Sequence, residues 1–236
     1  MTASTAELVF APQPVPTVPV AGEKSHYPVH RIFCVGRNYA EHAKEMGHEV
    51  DREAPWYFLK PATAIVLSGA TIPYPPETKN YHYEMELVVA IGTSGFRIAT
   101  SDAMRAVYGF ACGLDMTRRD LQIAAREKSR PWDLGKAFEQ SAIIAAITPA
   151  VKFGVVGPQC ISLRVGDVIK QDAKLSDLVW SVPELISHLS RFYHLGAGDL
   201  IYTGTPAGVG PVLPGDSIVG QIDGLAPVTL KIGDAE

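Results

Sequence analysis

The stretch Tyr81-His82-Tyr83-Glu84-Met85-Glu86-Leu87-Val88-Val89-Ala90-Ile91 constrains this chain most, because it sets two carboxylates at the head of an uninterrupted, β-branched apolar run. As a strand it alternates faces, so His82, Glu84 and Glu86 point to one side. Adjacent carboxylates on a rigid strand repel, and either one holds a proton or a cation lies between them. An all-oxygen site suits a hard divalent ion such as magnesium, manganese or calcium. The same Glu-x-Glu spacing also occurs on the solvent face of amphipathic strands, and the pattern alone does not separate the two readings.

The 236 residues suffice for one large mixed domain. Hydrophobic residues make up 47% and charged residues 19%, with 21 Gly and 18 Pro, which predicts a turn-rich globular chain rather than a helical bundle. A net charge of -4 supplies no basic field, which argues against nucleic acid as a partner. No apolar run is long enough to span a membrane. The start Met1-Thr2-Ala3-Ser4-Thr5-Ala6-Glu7 lacks the pattern of a signal peptide. Cys34, Cys112 and Cys160 are odd in number, without a Cys-x-x-Cys pair, and predict reduced thiols in a cytoplasmic protein.

Residues 1–30 are proline-rich and predict an extended arm; residues 31–236 carry the regular elements. Arg31–Gly36 predicts a strand. Asn38 and Glu41 suggest a capped short helix closed by Gly47, on which His42 and Glu45 stand three apart. That pair is either a solvated face or an imidazole oriented by a carboxylate, and the polar residues 47–53 behind it suit a lid. Trp56–Lys60 predicts a strand with Lys60 at its end. Ala103–Val107 predicts a short helix capped by Ser101 or Asp102. Tyr108–Leu114 predicts a buried strand ending at Asp115, which is either a cap or a ligand. A helix from Thr117 to Lys128, with Asp120 completing its capping box, puts Arg119, Gln122 and Arg126 on one face. Lys136, between apolar neighbours, either snorkels outwards or faces a polar cavity. Further on come strands at Ala142–Ile147, a hairpin around Gly166-Asp167, a Ser181/Glu184-capped helix to Leu195, and a strand entering the glycine-rich loop 203–210. A terminal strand pair follows.

Six segments together resemble the fumarylacetoacetate hydrolase family in its small single-domain branch. They are Gly36-Arg37-Asn38-Tyr39 with His42 and Glu45; Phe58-Leu59-Lys60-Pro61; Glu84-Met85-Glu86-Leu87; Asp115 to Asp120; Lys136-Ala137-Phe138; and Gly198-Asp199 with Thr203-Gly204-Thr205-Pro206. Within the family, Val35–His42 and Arg130–Lys136 look most like the fumarylpyruvate hydrolases of gentisate breakdown. The separate N-terminal barrel of larger family members has no counterpart here.

The resemblance implies an α+β, β-rich fold, a mixed β-roll or sandwich with short flanking helices, in a homodimer. It implies magnesium or manganese held by Glu84, Glu86 and Asp115, and catalysis by His42, Glu45 and Lys136. Arg119, Gln122 and Thr205, with Arg37 and Lys60, are implied to bind a small diketo acid. Glu45 would orient His42 to activate water, and Lys136 would help carry the charge of a departing pyruvate enolate. Acylpyruvate hydrolysis, oxaloacetate decarboxylation and the isomerase or decarboxylase steps of homoprotocatechuate breakdown draw on the same metal and enolate chemistry. A non-catalytic metal-binding module is the remote alternative.

Overall fold

In the computed structural model, which describes residues 8–45, 47 and 52–236, the stretch from Tyr81 to Ile91 forms two strands, Tyr81–Tyr83 and Met85–Ile91, that part at Glu84. The halves pair with different partners. Tyr81–Tyr83 lies between Thr117–Arg118 and Gly210–Pro211, whereas Met85–Ile91 lies between Asp199–Tyr202 and Val107–Asp115. The alternation survives the break: Tyr81, Tyr83, Met85, Leu87, Val89 and Ile91 all enter one core.

Met85–Ile91 is central to an eight-stranded sheet that runs in the order Trp56–Lys60, Arg31–Gly36, Asp199–Tyr202, Met85–Ile91, Val107–Asp115, Ala142–Ile144, Ile65–Leu67, with Thr148–Pro149 pairing beside Val107–Asp115. Its pairs are antiparallel except Asp199–Tyr202 with Arg31–Gly36 and Ala142–Ile144 with Ile65–Leu67. A second sheet of five strands runs Val168–Lys174, Cys160–Val165, Ser217–Ile222, Val228–Ala235, Ala70–Tyr74. Apolar residues on one face of the central sheet, Leu87, Val89, Phe110, Cys112 and Leu114, pack with Ile161, Leu163, Ile218, Leu230 and Ile232 of the second. The opposite face holds a smaller core of Ile32, Cys34, Val88, Ala90, Ala111, Leu200 and Tyr202, covered by Val18, Val20, Tyr27 and Val29. A strand buried on both faces must be apolar throughout, which explains the unbroken run after Glu86. The fold is strand-rich α+β with few, short helices.

Residues 17–29 close over the smaller core as a hairpin, Thr17–Pro19 with His26–Pro28. Residues 1–7 of the expected arm, and residues 46 and 48–51 of the expected lid, lie outside the described residues.

Several local expectations fail because a side chain expected to cap is committed elsewhere. The helix carrying His42 spans Ala40–Glu45 and closes with Gly47 N–H donating to Lys44 O, but Asn38 does not cap it. The buried Asn38 amide instead accepts from Trp180 N–H and donates to Trp180 O and Thr203 O. Thr117 does not open the next helix, which spans Arg119–Glu127. Thr117 is held in a strand pair with His82, and its hydroxyl bonds Asp115 O and Lys136 Nζ. Ala103–Ala106 is a 3-10 turn without a side-chain cap. The Ser181/Glu184 capping box is present, yet its helix ends at Leu189, because the Ser190 hydroxyl and carbonyl accept from Ile98 N–H and Arg97 N–H of a neighbouring loop.

Candidate metal centre and active site

Strand register brings the acidic residues together. Leu114 pairs with Met85 and Gly113 with Glu86, so Asp115 stands opposite Glu84, and its N–H donates to Glu84 O at 2.9 Å. Alternation puts Glu86 on the face of Val88 and Ala90, and Asp115 on the face of Ala111 and Gly113. Glu84, Glu86 and Asp115 each offer an oxygen within 4.8 Å of the others, and all three are buried.

Among the described residues three side-chain cations gather around them. Lys136 Nζ donates to Glu84 Oε2 (2.8 Å), Asp115 Oδ2 (2.8 Å) and Thr117 Oγ1 (2.7 Å). Arg119 donates to Glu84 Oε1 and, at 2.5 Å, to Gln122 Oε1. Lys60 Nζ lies 2.9 Å from Asp115 Oδ1 but gives its hydrogen bonds to Met116 O and Lys136 O. Burial pushes the Glu84 carboxyl up, but Lys136 and Arg119 outweigh it and hold the group well below the usual range. Burial would likewise neutralise Lys136, and Asp115 and Glu84 keep it charged. Glu86 is the exception. Burial, then the charges of Asp115 and Glu84, push its carboxyl well up, and it accepts from Gly204 N–H at 2.7 Å.

This donor set fits a hard divalent cation. Three carboxylates converge, Asp115 Oδ1 receives no hydrogen bond, and no side-chain cation hydrogen-bonds Glu86 among the described residues.

A cleft with polar and aromatic walls opens over the cluster. Glu84, Glu86, Lys136, Arg119, Gln122, Thr205, Arg37 and His42 all line it. His42 Nδ1 is 3.1 Å from Glu45 Oε2, and the Glu45 carboxylate accepts from Gly208 N–H. Arg37 sits in the left-handed region, with φ 58°. Burial lowers its pKa, and the nearby charge of Arg126, also on the cleft, lowers it further.

Lys60 does not line the cleft. Its ammonium is fully buried against Asp115, behind the cluster rather than in reach of a ligand. Lys136 faces the polar cavity rather than snorkelling. The glycine-rich loop serves protein carboxylates, since its Gly204 and Gly208 amides bond Glu86 and Glu45. Gly204 has φ +98°, and an added Cβ would come 2.7 Å from Asn38 Cβ, so this close approach requires glycine.

Sequence reasoning missed the aromatic wall of Trp56, Phe58 and Trp132, whose rings lie 4.2–6.2 Å apart. It also missed Gln171, which bonds Thr205 from the second sheet. An apolar Trp or Phe, in a strand like Trp56 and Phe58 or before a short helix like Trp132, carries no signal of facing a ligand. A lone glutamine in a polar hairpin carries none either.

The profile described as Fumarylacetoacetate (FAA) hydrolase C-terminal matches residues 31–233. A fumarylpyruvate hydrolase of Ralstonia sp is 52% identical over 194 residues, covering 81% of this chain and 100% of that one. A mitochondrial oxaloacetate tautomerase of Mus musculus is 41% identical over 205 residues, covering 87% and 92%. The crystal structure of fumarylpyruvate hydrolase from Pseudomonas aeruginosa in complex with Mn2+ and pyruvate is 46% identical, covers 97% of this chain and 100% of that one, and has a TM-score of 0.93. With the profile spanning nearly the whole strand framework and relatives this similar over most of their length, the chain belongs to the fumarylacetoacetate hydrolase family.

Proposed function

We propose that the protein is a metal-dependent hydrolase that cleaves a carbon–carbon bond of a 2,4-diketo acid, with fumarylpyruvate giving fumarate and pyruvate. The observation that carries this reading is that an imidazole held by a carboxylate, His42 with Glu45, lines the same cleft as the Glu84, Glu86 and Lys136 cluster. The similarity to fumarylpyruvate hydrolases supports the acyl group chosen.

Glu84, Glu86 and Asp115 would hold magnesium or manganese, which when bound supplies Lewis-acid stabilisation of negative charge on a substrate oxygen. Glu45 fixes the His42 ring through Nδ1, which leaves Nε2 to take a proton from water. The water oxygen bonds to the 4-keto carbon. As the C3–C4 bond breaks, its electron pair passes to the pyruvate fragment as an enolate, and protonation at C3 completes pyruvate. The Lys136 ammonium, fixed by Asp115 and Glu84, favours that developing charge. Arg119, Gln122 and Thr205 bind the keto-acid end, and Arg37 with Arg126 suits the distal carboxylate. Lys60 acts by supporting Asp115.

The same reading makes residues 31–236 the catalytic unit and residues 1–30 an N-terminal arm whose residues 17–29 cover the smaller core, in a cytoplasmic homodimer serving gentisate breakdown. The free thiols Cys34, Cys112 and Cys160 are consistent with a reducing compartment. Among the described residues no helix is long and apolar enough to cross a membrane.

The test offers fumarylpyruvate, acetylpyruvate and oxaloacetate separately to protein supplied with magnesium or manganese, and follows pyruvate with identification of the second product. Fumarate from the first substrate, lost with chelator and in Glu84→Ala, is the expected result. Preferred action on oxaloacetate without need of His42 would replace hydrolysis with the tautomerase or decarboxylase chemistry for which other relatives are named. Ligand binding without any turnover would leave only a metal-binding module.

A further inference from the structure

Gln171 belongs to the second sheet, far in sequence from the site, yet its side chain reaches the cleft wall. It is buried between exposed neighbours in the strand Val168–Lys174. Pairing across the hairpin slips at this point, with Leu163 opposite Gln171 and Arg164 opposite Ile169, so a bulge at Lys170 turns Gln171 inward. Its amide meets three groups. Oε1 accepts from Met85 N–H at 3.0 Å, and Nε2 donates to Pro206 O at 2.7 Å and to Thr205 Oγ1 at 2.8 Å.

Two of those partners fix which way the amide lies. A backbone N–H only donates, so the atom facing Met85 is the oxygen; a carbonyl only accepts, so the atom facing Pro206 is the nitrogen. Both conditions agree. Nε2 has two hydrogens, one for Pro206 O and the other for Thr205 Oγ1. The Thr205 oxygen is therefore an acceptor toward Gln171, and its one hydroxyl hydrogen is left for something else. Thr205 is buried and lines the cleft.

We propose that Gln171 is a positioning residue that makes the Thr205 hydroxyl a dedicated donor to a carboxylate or keto oxygen of the bound ligand. The same amide holds Met85, between Glu84 and Glu86, so it also sets the spacing of that donor from the acidic cluster. This inference rests on the reading of the cleft as a keto-acid site.

The test measures pyruvate binding to the manganese-loaded protein, and side-chain amide exchange by NMR of the nitrogen-labelled, ligand-free protein. Thr205→Val weakens pyruvate about tenfold, the share of one charge-assisted hydrogen bond. Thr205→Ser, which keeps the donor, recovers most of that loss. Gln171→Glu weakens pyruvate to a similar extent, because a carboxylate draws the Thr205 proton to itself, and even when protonated its single donor is taken by Pro206 O. The double variant Gln171→Glu with Thr205→Val binds no worse than either single one. Losses that multiply, or pyruvate binding unchanged in Thr205→Val, overturn the proposal.

Amide exchange decides the orientation without any ligand. Both Gln171 Nε2 protons exchange slowly in the native protein, and Thr205→Val releases one of them. Rapid exchange of either in the native protein overturns the proposal whether or not Gln171→Glu folds. A native protein that binds no pyruvate, with both protons protected, fails the functional reading and leaves the Gln171–Thr205 arrangement standing.

Discussion

Replacing Lys136 with methionine separates its structural role from its role beside the cation. The ammonium is fully buried and bonds Glu84 Oε2, Asp115 Oδ2 and Thr117 Oγ1 at 2.7–2.8 Å. Removing one partner of a buried ion pair costs about 3–5 kcal/mol. The lower end applies here, because Arg119 still serves Glu84 and Lys60 still neighbours Asp115. About 3 kcal/mol corresponds to roughly 6–12 °C in Tm for a chain of this size. Among the described residues three carboxylates face three side-chain cations, and Lys136→Met leaves two. A divalent ion entering the variant meets one positive charge fewer, so saturating manganese raises its Tm by more than that of the native protein. Tenfold tighter binding adds about 1.4 kcal/mol at fixed free metal. Thermal denaturation with chelator and with manganese measures both effects. A variant as stable as the native protein under chelator, or a smaller manganese shift, would refute this account of the cluster.

His42→Ala lowers kcat by about 10²–10⁴-fold, while calorimetry still finds manganese and pyruvate bound; equal loss of binding would make His42 a ligand contact rather than a base. Ser181→Ala removes the hydroxyl that bonds Glu184 Oε2 at 2.6 Å and costs about 1 kcal/mol by urea denaturation, and it moves the Glu184 carboxyl back toward its ordinary range, because that bond is the main cause of its lowered pKa. Burial pushes the Asp120 carboxyl up, but bonds from Lys79 N–H, the Thr78 hydroxyl and Leu121 N–H outweigh it and hold the group low. Its folded pKa lies below its unfolded one, so its stabilisation is complete above the unfolded value and is lost as pH falls through the folded one. Between about pH 5 and 3, native stability therefore falls more steeply than that of Asp120→Asn, and parallel slopes in denaturant titrations would contradict the assignment.

Much of the fold was legible because its strands are apolar runs, as at Arg31–Gly36, Met85–Ile91 and Val107–Asp115, the first closed by Gly36 and the second followed by Gly92. The helix starts were less so. Asn38 and Thr117 have the chemistry of caps, and a single sequence cannot show that a buried amide and a hydroxyl are already taken by Trp180, Thr203 and Lys136. Tertiary demand for hydrogen bonds overrode a local preference worth about 1 kcal/mol.

The acidic site was legible for a different reason. Glu84 and Glu86 are neighbours in sequence, and Asp115 ends the strand that pairs beside them, so one antiparallel register suffices to bring them together. Lys60 reaches the site through further pairings, and Gln171 through side-chain hydrogen bonds from another sheet. Lys60 rides on the edge strand through its register with Ile32, and Gln171 on a bulge in a separate sheet. The route to the acidic strand thus separates Asp115, whose place follows from one register, from Gln171, which no strand pairing links to it. It also orders how the site should respond to change. Residues one register step away act on the cation directly, whereas Gln171 acts by holding Met85 and Thr205 in place. Perturbing the bulge at Lys170 should therefore shift ligand affinity before it shifts affinity for the ion.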